Sequence, residues 1–429
     1  MKISPARAAA FDILLRIETE QAFSSVLLPG YEDKLPERDR GLCHEITLGT
    51  LRQQMYLDRV IDHLTKGRKL DPDVRVALRI GLYQVIFLDR IPQYSAINES
   101  VNLVQRAKKS SAKAFVNAVL RGYTRSPISL EFSDEVDRFS VETSHPKWLL
   151  EKWIAYFGLD ATKDLAAKNN APAPLAFRFT ADEGRDLAGT RIEKSIYVDA
   201  CLIAETATPE LLSAATNGEI YFQDEGSQLV GSAVKIRRGA RFLDVCAAPG
   251  SKTTQVALRA QNTAGLLAAG DVHWPRVEFL RENCRRQGAG EVNVLQYDAE
   301  SSLPFAENSF DVVLVDAPCS GTGTIRSNPE IRYFFKPEDL AELSSKQLRI
   351  LKNASKLVRP GGTLIYSTCS LEREENEEVA QWFLKENDGF RVARPEVTDR
   401  FITPEGFART FPHRDGLDGF FIATFERLR

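Results

Sequence analysis

From Gly226 to the C-terminus, short apolar runs alternate with segments of helical period, and no other feature limits the fold of this chain as tightly. A parallel strand pair needs a long crossover, and a helix between each two strands supplies it. The strands expected are Arg241 to Cys246, Leu266 to Gly270, Val292 to Gln296, Val312 to Val315, Thr363 to Ser367 and Phe420 to Phe425. Helices should start near Ser251, Pro275, Glu338 and Leu371. Residues 226–429 therefore read as a doubly wound, Rossmann-like α/β domain with parallel strands.

Upstream the period changes. From Ala6 to about Tyr123 apolar residues recur at helical spacing, as in Val74-Ala77-Leu78-Gly81-Leu82, so residues 1–126 read as an all-α domain. Leu28-Pro-Gly30 and Ile91-Pro92 read as connections between its helices. Residues 127–143 mix Pro, Ser and acidic residues without a period and read as a linker. A helix around Pro146 to Phe157 and strands at Ala176 to Thr180 and Ile220 to Gln223 then suggest a small α+β module over 144–225.

Charge is unevenly shared. The chain carries −3 overall, yet residues 1–125 hold 20 Lys and Arg against 14 Asp and Glu, a net of +6, and the remainder 36 against 45, a net of −9. Basic residues cluster at Lys66, Arg68, Lys69 and at Arg106, Lys108, Lys109, Lys113, Arg121, Arg125, which suggests a polyanionic partner. Six cysteines without CxxC spacing and five scattered histidines disfavour a disulfide framework and a zinc site, so no metal is expected. No apolar stretch approaches about 18 residues and Met1-Lys2-Ile3-Ser4-Pro5 is no leader, so a cytoplasmic protein without membrane contact, and a monomer, is expected.

The first strand ends in Leu243-Asp-Val-Cys-Ala-Ala-Pro-Gly-Ser-Lys-Thr-Thr254, a small-residue turn feeding a helix. Backbone can approach a ligand closely there, and the free N–H groups of the helix face it. Ser251 precedes Lys252 where a Walker loop has Gly, which disfavours a nucleotide triphosphatase. Asp271, Asp298 and Asp316 close the second, third and fourth strands. In an open sheet ligands sit at the carboxyl ends of the strands, so three acids at three such ends share one crevice, and Asp271 is placed to hold ribose hydroxyls. Two cysteines close similar turns, in Asp316-Ala-Pro-Cys319-Ser and Thr368-Cys369-Ser370, which suggests one site holding both thiols. Cysteine is the most nucleophilic side chain near neutral pH once ionised, the property such a pair suits. From the residues alone either cysteine can be the attacker.

Three stretches, Cys246 to Lys252, Asp316-Ala-Pro-Cys-Ser-Gly-Thr-Gly323 and Thr368-Cys-Ser-Leu-Glu-Arg-Glu-Glu-Asn376, resemble the S-adenosylmethionine-dependent RNA 5-methylcytosine methyltransferases of the bacterial RsmB (Sun/Fmu) type. Arg38-Asp-Arg-Gly-Leu42, Leu51-Arg52 and Phe115 to Arg121 resemble that group's NusB-like domain, and Phe222 to Gln228 and Asp418-Gly-Phe-Phe421 also look like the family's. The resemblance implies S-adenosylmethionine as cofactor and small-subunit ribosomal RNA as substrate, with transfer RNA the near alternative and a non-catalytic NusB-like RNA-binding adaptor the rival from another class. It places Cys246, Ala247, Ala248, Pro249, Gly250, Ser251 and Lys252 around the methionine end, Asp271 on the ribose, Asp298 near the adenine, and Asp316 between cofactor and base. It implies Cys369 as nucleophile and Cys319 as the group that assists release. Ser251 departs from the family's frequent Gly, which leaves the backbone there open. Asn376 is expected to orient the Cys369 loop, Arg326, Arg332 and Lys336 are candidate phosphate contacts, and Glu372 to Glu378 reads as a solvated acidic helix.

Overall fold

The computed structural model describes residues 3–126, 128–181, 187–261 and 263–429. Met1, Lys2 and Pro127, at which the N-terminal and linker expectations begin, lie outside them. The chain forms two units: Met1–Ala171 with Ile325–Pro337, and Pro172–Thr324 with Glu338–Arg429.

The first unit is helical among its described residues: α1 (Pro5–Glu20), α2 (Ser24–Glu32), α3 (Glu37–Arg52), α4 (Gln54–Thr65), α5 (Pro72–Phe87), α6 (Gln93–Arg106), α7 (Lys113–Arg125), α8 (Glu135–Thr143), α9 (Lys147–Phe157) and α10 (Leu159–Asn170). The helical spacing noted in α5 buries Val74, Ala77, Leu78 and Leu82, and Arg79 on the same helix is neutralised by Asp58 at 2.7 Å and Glu18 at 2.8 Å. Three expectations need correction. Leu28-Pro-Gly30 is no connection but the body of α2, where Pro29 forfeits a single backbone hydrogen bond. The second half of the expected linker is α8, whose first turn is capped by Asp134 accepting from Asp137 N at 2.7 Å. Its acidic run is thus a helix start, where carboxylates offset the N-terminal dipole. The helix expected in the small module, α9, packs in the helical unit through Leu149, Leu150 and Trp153, alongside α10.

Ile325–Pro337 completes this unit from far along the chain. Arg332 is fully buried and donates to Ser144 O at 3.1 Å, Thr143 O at 3.3 Å and Asn170 Oδ1 at 2.9 Å, while Tyr333 donates to Leu51 O at 2.6 Å. Glu330 accepts from Ser24 N at 2.6 Å and Ser24 Oγ at 3.0 Å. The expected phosphate contact at Arg332 is therefore corrected: its guanidinium is a buried tie among backbone carbonyls, and Arg326 is buried as well.

The second unit contains two sheets. A small antiparallel one, of order β2-β3-β1-β4, comprises β1 (Leu175–Phe179), β2 (Ile192–Lys194), β3 (Leu202–Ala204) and β4 (Ile220–Phe222), with α11 (Pro209–Thr216). The large one comprises β5 (Arg241–Asp244), β6 (Leu266–Asp271), β7 (Asn293–Gln296), β8 (Phe310–Asp316), β9 (Val358–Thr368), β10 (Phe390–Ala393), β11 (Ala408–Arg409) and β12 (Phe421–Arg427). Its order is β10-β12-β9-β8-β5-β6-β7, with β11 beside β12. From β7 to β9 the strands are parallel, but β12 and β10 join antiparallel, so the sheet is mixed rather than wholly parallel. After β10 the chain has no long crossover helix and must return along the same edge.

Alternate strand residues serve the two faces. Phe242, Leu314 and Ile365 join the core under α12 (Glu225–Ala233), α13 (Ser251–Ala260) and α14 (Trp274–Arg286). Leu243, Val313, Val315, Leu364 and Tyr366 join the core under α15 (Asp339–Ser355) and α16 (Glu377–Glu386). Strand β5 lies between β6 and β8, so strand order reverses there and a crevice opens at its carboxyl end. No described helix is long and apolar enough to cross a membrane.

Candidate active site

The turn after β5 is fixed from three sides. Gly250 has φ +102°, a backbone that L side chains rarely adopt, and a Cβ there would lie 2.6 Å from Leu280 Cδ1. Ser251 opens α13 immediately afterwards, so the strained angle falls on Gly250 and the departure at Ser251 is accommodated. Arg276 donates to Ala248 O at 2.8 Å and Asn283 Nδ2 to Pro249 O at 2.9 Å, and the Ala248–Pro249 bond is cis. The carbonyls of the turn are thus tied to α14, while the first N–H groups of α13 have no intrahelical acceptor. Arg178 on β1 adds a brace, donating to Thr254 Oγ1 and to Gln287 Oε1 at 2.8 Å each and to Gln223 Oε1 at 2.8 Å. Gln223 and Asp224 give the Phe222 to Gln228 stretch its work: Gln223 bridges Arg178 and Gln255, and Asp224 caps α12.

Four carboxyl groups stand at the strand ends. Asp271 is buried, 3.2 Å from Arg276. Asp316 accepts from Lys252 Nζ at 2.7 Å and Ser367 Oγ at 2.7 Å. Asp244, which sequence reasoning passed over inside its own motif, accepts from Thr253 Oγ1 at 2.6 Å through one oxygen, and its other oxygen has no partner among the described residues. Burial pushes its carboxyl up to about 7, against the Thr253 hydrogen bond. Asp298 differs: it is exposed and caps its own turn, accepting from Glu300 N at 2.9 Å and Ser301 Oγ at 3.3 Å. Beside it the buried Tyr297 ring packs on Gly270, where a Cβ would also meet Leu295 O at 2.9 Å. The crevice thus combines a helix N-terminus, two glycines that keep backbone accessible, and carboxylates with an unfilled buried acceptor. That donor set fits S-adenosylmethionine, whose amino acid end carries both charges and whose ribose offers hydroxyls.

The two thiols meet: Cys319 Sγ and Cys369 Sγ are 3.4 Å apart, each half-buried. Their loops are joined by Gly323 N donating to Cys369 O at 2.9 Å and Leu371 N to Thr322 Oγ1 at 2.9 Å. Asn376 does hold the Cys369 loop, accepting from Thr368 Oγ1 at 2.5 Å and donating to Ser370 O at 2.8 Å. The solvated acidic helix is corrected: Glu372 and Glu375 are fully buried, and α16 begins only at Glu377. In the Asp418 to Phe421 stretch, Gly419 N donates to Gly323 O at 2.8 Å and the Phe420 ring lies 5.4 Å from Lys252 Nζ.

Charge is placed unequally around the thiols. Burial opposes a cation at Lys252, but Asp316 outweighs it and, with Cys369 and Asp244 adding, holds the ammonium above its ordinary pKa. Cys319 is held well above the ordinary thiol by its hydrogen bond with Cys369, by burial and by Glu375. Burial also raises Cys246, which packs against the core under α15 and α16. Sequence reasoning missed Ser320, Ser370 and Gln347 around the thiols, although a Ser follows both cysteines in the sequence.

Residues 232–426 match the family model described as 16S rRNA methyltransferase RsmB/F, and residues 4–125 match that of the NusB family. The chain is 34% identical over 448 residues, covering 100% of both sequences, to the probable ribosomal RNA small subunit methyltransferase B of Bacillus subtilis (strain 168). It is 33% identical, over 98% of both, to ribosomal RNA small subunit methyltransferase B of Pseudomonas putida KT2440. The crystal structure of PH0851 matches with a TM-score of 0.86 at 27% identity, covering 100% of both chains.

Proposed function

The chain belongs to the ribosomal RNA small subunit methyltransferase B family and uses S-adenosylmethionine, and on that premise we propose that it methylates C5 of a cytosine in 16S ribosomal RNA through a covalent Cys369–C6 adduct. The observation that carries this reading is the 3.4 Å approach of Cys319 and Cys369 beside the Lys252–Asp316 pair. S-adenosylmethionine, when bound, supplies the methyl group. Cys246 to Lys252, Asp244 and Asp271 hold it; Asp298, spent on its own turn, bounds the adenine end through backbone and the neighbouring Tyr297.

Two thiols this close share one proton in the state that reacts. The hydrogen bond with Cys369, burial and Glu375 hold the proton on Cys319, and Lys252 stands on the Cys369 side. Cys369 adds to C6, and the C5=C6 electrons move toward C5 and the ring. Asp316, fixed by Lys252 and Ser367, takes up a proton from solvent and donates it in a hydrogen bond to N3, and the Lys252 ammonium stabilises the developing ring charge. C5 then takes the methyl group. Once Cys369 is bonded to carbon its charge is gone, so the influence that kept Cys319 protonated falls away. Cys319 can then lose its proton to solvent and remove the C5 proton, which re-forms C5=C6 and expels Cys369. The target base is reached unstacked.

The helical unit supports binding of the polyanion. Arg106 and Lys109 of its basic clusters are paired with Asp12 and Asp71, while Lys66, Arg68, Lys69, Lys108, Arg121 and Arg125 are exposed and carry the phosphate contacts. Trapping with 16S RNA containing 5-fluorocytidine tests the chemistry: Cys369→Ala should form no protein–RNA adduct, and Cys319→Ala should accumulate one on natural RNA. The reverse pattern would exchange the two roles. Bisulfite mapping of ribosomal and transfer RNA with and without the protein identifies the substrate.

A further inference from the structure

Glu375 is fully buried between the two thiol loops, six residues beyond Cys369 in the same connection. One carboxylate oxygen accepts from Ser320 N at 2.9 Å and Gln347 Nε2 at 2.9 Å; the other accepts from Ser320 Oγ and Ser370 Oγ at 2.5 Å each. Four donors fill the acceptor capacity of a carboxylate, and they come from the loop after β8, the loop after β9 and α15. Gln347 in turn donates to Pro318 O at 2.9 Å, so Cys319 is gripped on both sides, and Cys369 is gripped through Ser370 and Asn376. Tyr366 OH donates to the Glu375 carbonyl at 2.5 Å and fixes the residue itself.

We infer that Glu375 is a positioning residue for the methyl transfer, the link that sets the separation of the two thiols; this rests on the roles proposed above for Cys319 and Cys369. The Gly323–Cys369 and Leu371–Thr322 bonds join the two loops beyond the cysteines, and Glu375 joins them at the residue following each cysteine. Its charge has a second effect. The groups facing the thiol pair are Glu375 and Tyr366 toward Cys319 and Lys252 toward Cys369, so removing the Glu375 charge removes the bias that leaves the proton on Cys319.

The test uses the full chain with Glu375→Gln. Calorimetry with S-adenosylmethionine should show binding retained, and methyl transfer to 16S RNA should fall by about 10²-fold, the cost of a misplacement near 1 Å at a reacting centre. Iodoacetamide alkylation with peptide mass spectrometry, which needs no RNA, should move from Cys369 toward Cys319. Transfer at the wild-type rate, or an unchanged division of alkylation between the thiols, would overturn the inference. Should Glu375→Gln fail to bind the cofactor, Ser320→Ala with Ser370→Ala cuts the two hydroxyl links and keeps the carboxylate. That variant must also lose transfer, and wild-type transfer in it overturns the inference. Absence of a wild-type Cys369–RNA adduct would instead strike at the reaction proposed above and leave the alkylation result to judge Glu375 alone.

Discussion

Replacing Gly250 by Ala perturbs the cofactor turn in two separable ways. The φ of +102° is strained for any L residue, which costs about 1–3 kcal/mol. The new Cβ lies 2.6 Å from Leu280 Cδ1, and Leu280 is fully buried in the core beneath α13 and α14, so its methyl can yield only by shifting the packed side chain. Such overpacking costs about 1–3 kcal/mol. The next atoms are 3.9 and 4.0 Å away, so no backbone blocks the substitution and the protein should still fold. The combined strain of about 2–6 kcal/mol must appear in one of two measurements. If the turn relaxes, the N–H groups of α13 move off the ligand and the Kd for S-adenosylmethionine rises at least about 30-fold, each 1.4 kcal/mol being a factor of ten. If the turn holds, Tm falls by about 2–4 °C per kcal/mol. Titration calorimetry and thermal unfolding of Gly250→Ala read both. In a Leu280→Ala background the same substitution should cost about 1–3 kcal/mol less, since the methyl it strikes is gone. Unchanged Kd together with unchanged Tm would refute the argument that Gly250 is required by its angle and its neighbour.

Asp244 gives a pH signature: burial pushes its carboxyl up to about 7 in the folded chain from the ordinary 3.8, so between those values the folded state binds the extra proton. Stability without cofactor should therefore fall as pH rises through that window, with a slope up to about 1.4 kcal/mol per pH unit, and Asp244→Asn should flatten it in a Tm-against-pH series. Arg332→Met leaves buried carbonyls at Thr143, Ser144 and Asn169 without their donor and should lower Tm, at about 1–3 kcal/mol per unsatisfied group, with RNA affinity of the folded protein unchanged; a phosphate contact would show the opposite. Lys252→Met should abolish methyl transfer while Arg106→Gln, already paired with Asp12, should weaken RNA binding little, as filter binding at several salt concentrations will show.

Much of the catalytic sheet could be read because its information is local. Strand β8, with its run Phe310-Asp-Val-Val-Leu-Val-Asp316, is buried on both faces and says so in its composition, and the turn at Gly250 announces itself by small residues before a helix. The direction of β12 could not be read, since an apolar strand looks alike whichever way it runs. Glu375 was misplaced for a related reason: a Glu-rich stretch suggests solvent, and only the fold brings Ser320, Ser370 and Gln347 to it from 55, 5 and 28 residues away. Arg332 failed in the same way, because a cation near a catalytic loop suggests phosphate until its acceptors, 162 to 189 residues distant, are known. Asp134 shows the converse error, a clear helix cap mistaken for linker because the segment around it lacked an apolar period.

The return of Ile325–Pro337 to the helical unit fixes an order of events during synthesis. Ser24 finds Glu330 across 306 residues, so α2 leaves the ribosome long before its partner exists. At about 5–20 residues per second that interval is roughly 15 to 60 s, during which the helical unit waits with its last ties unmade. Those ties close only after β8 and the Cys319 loop have been translated. A fragment ending at residue 171 therefore lacks thirteen residues of its own unit, and a fragment beginning at residue 172 carries them with nothing to receive Arg332 or Tyr333. Splitting this protein for separate expression means cutting it three times, not once.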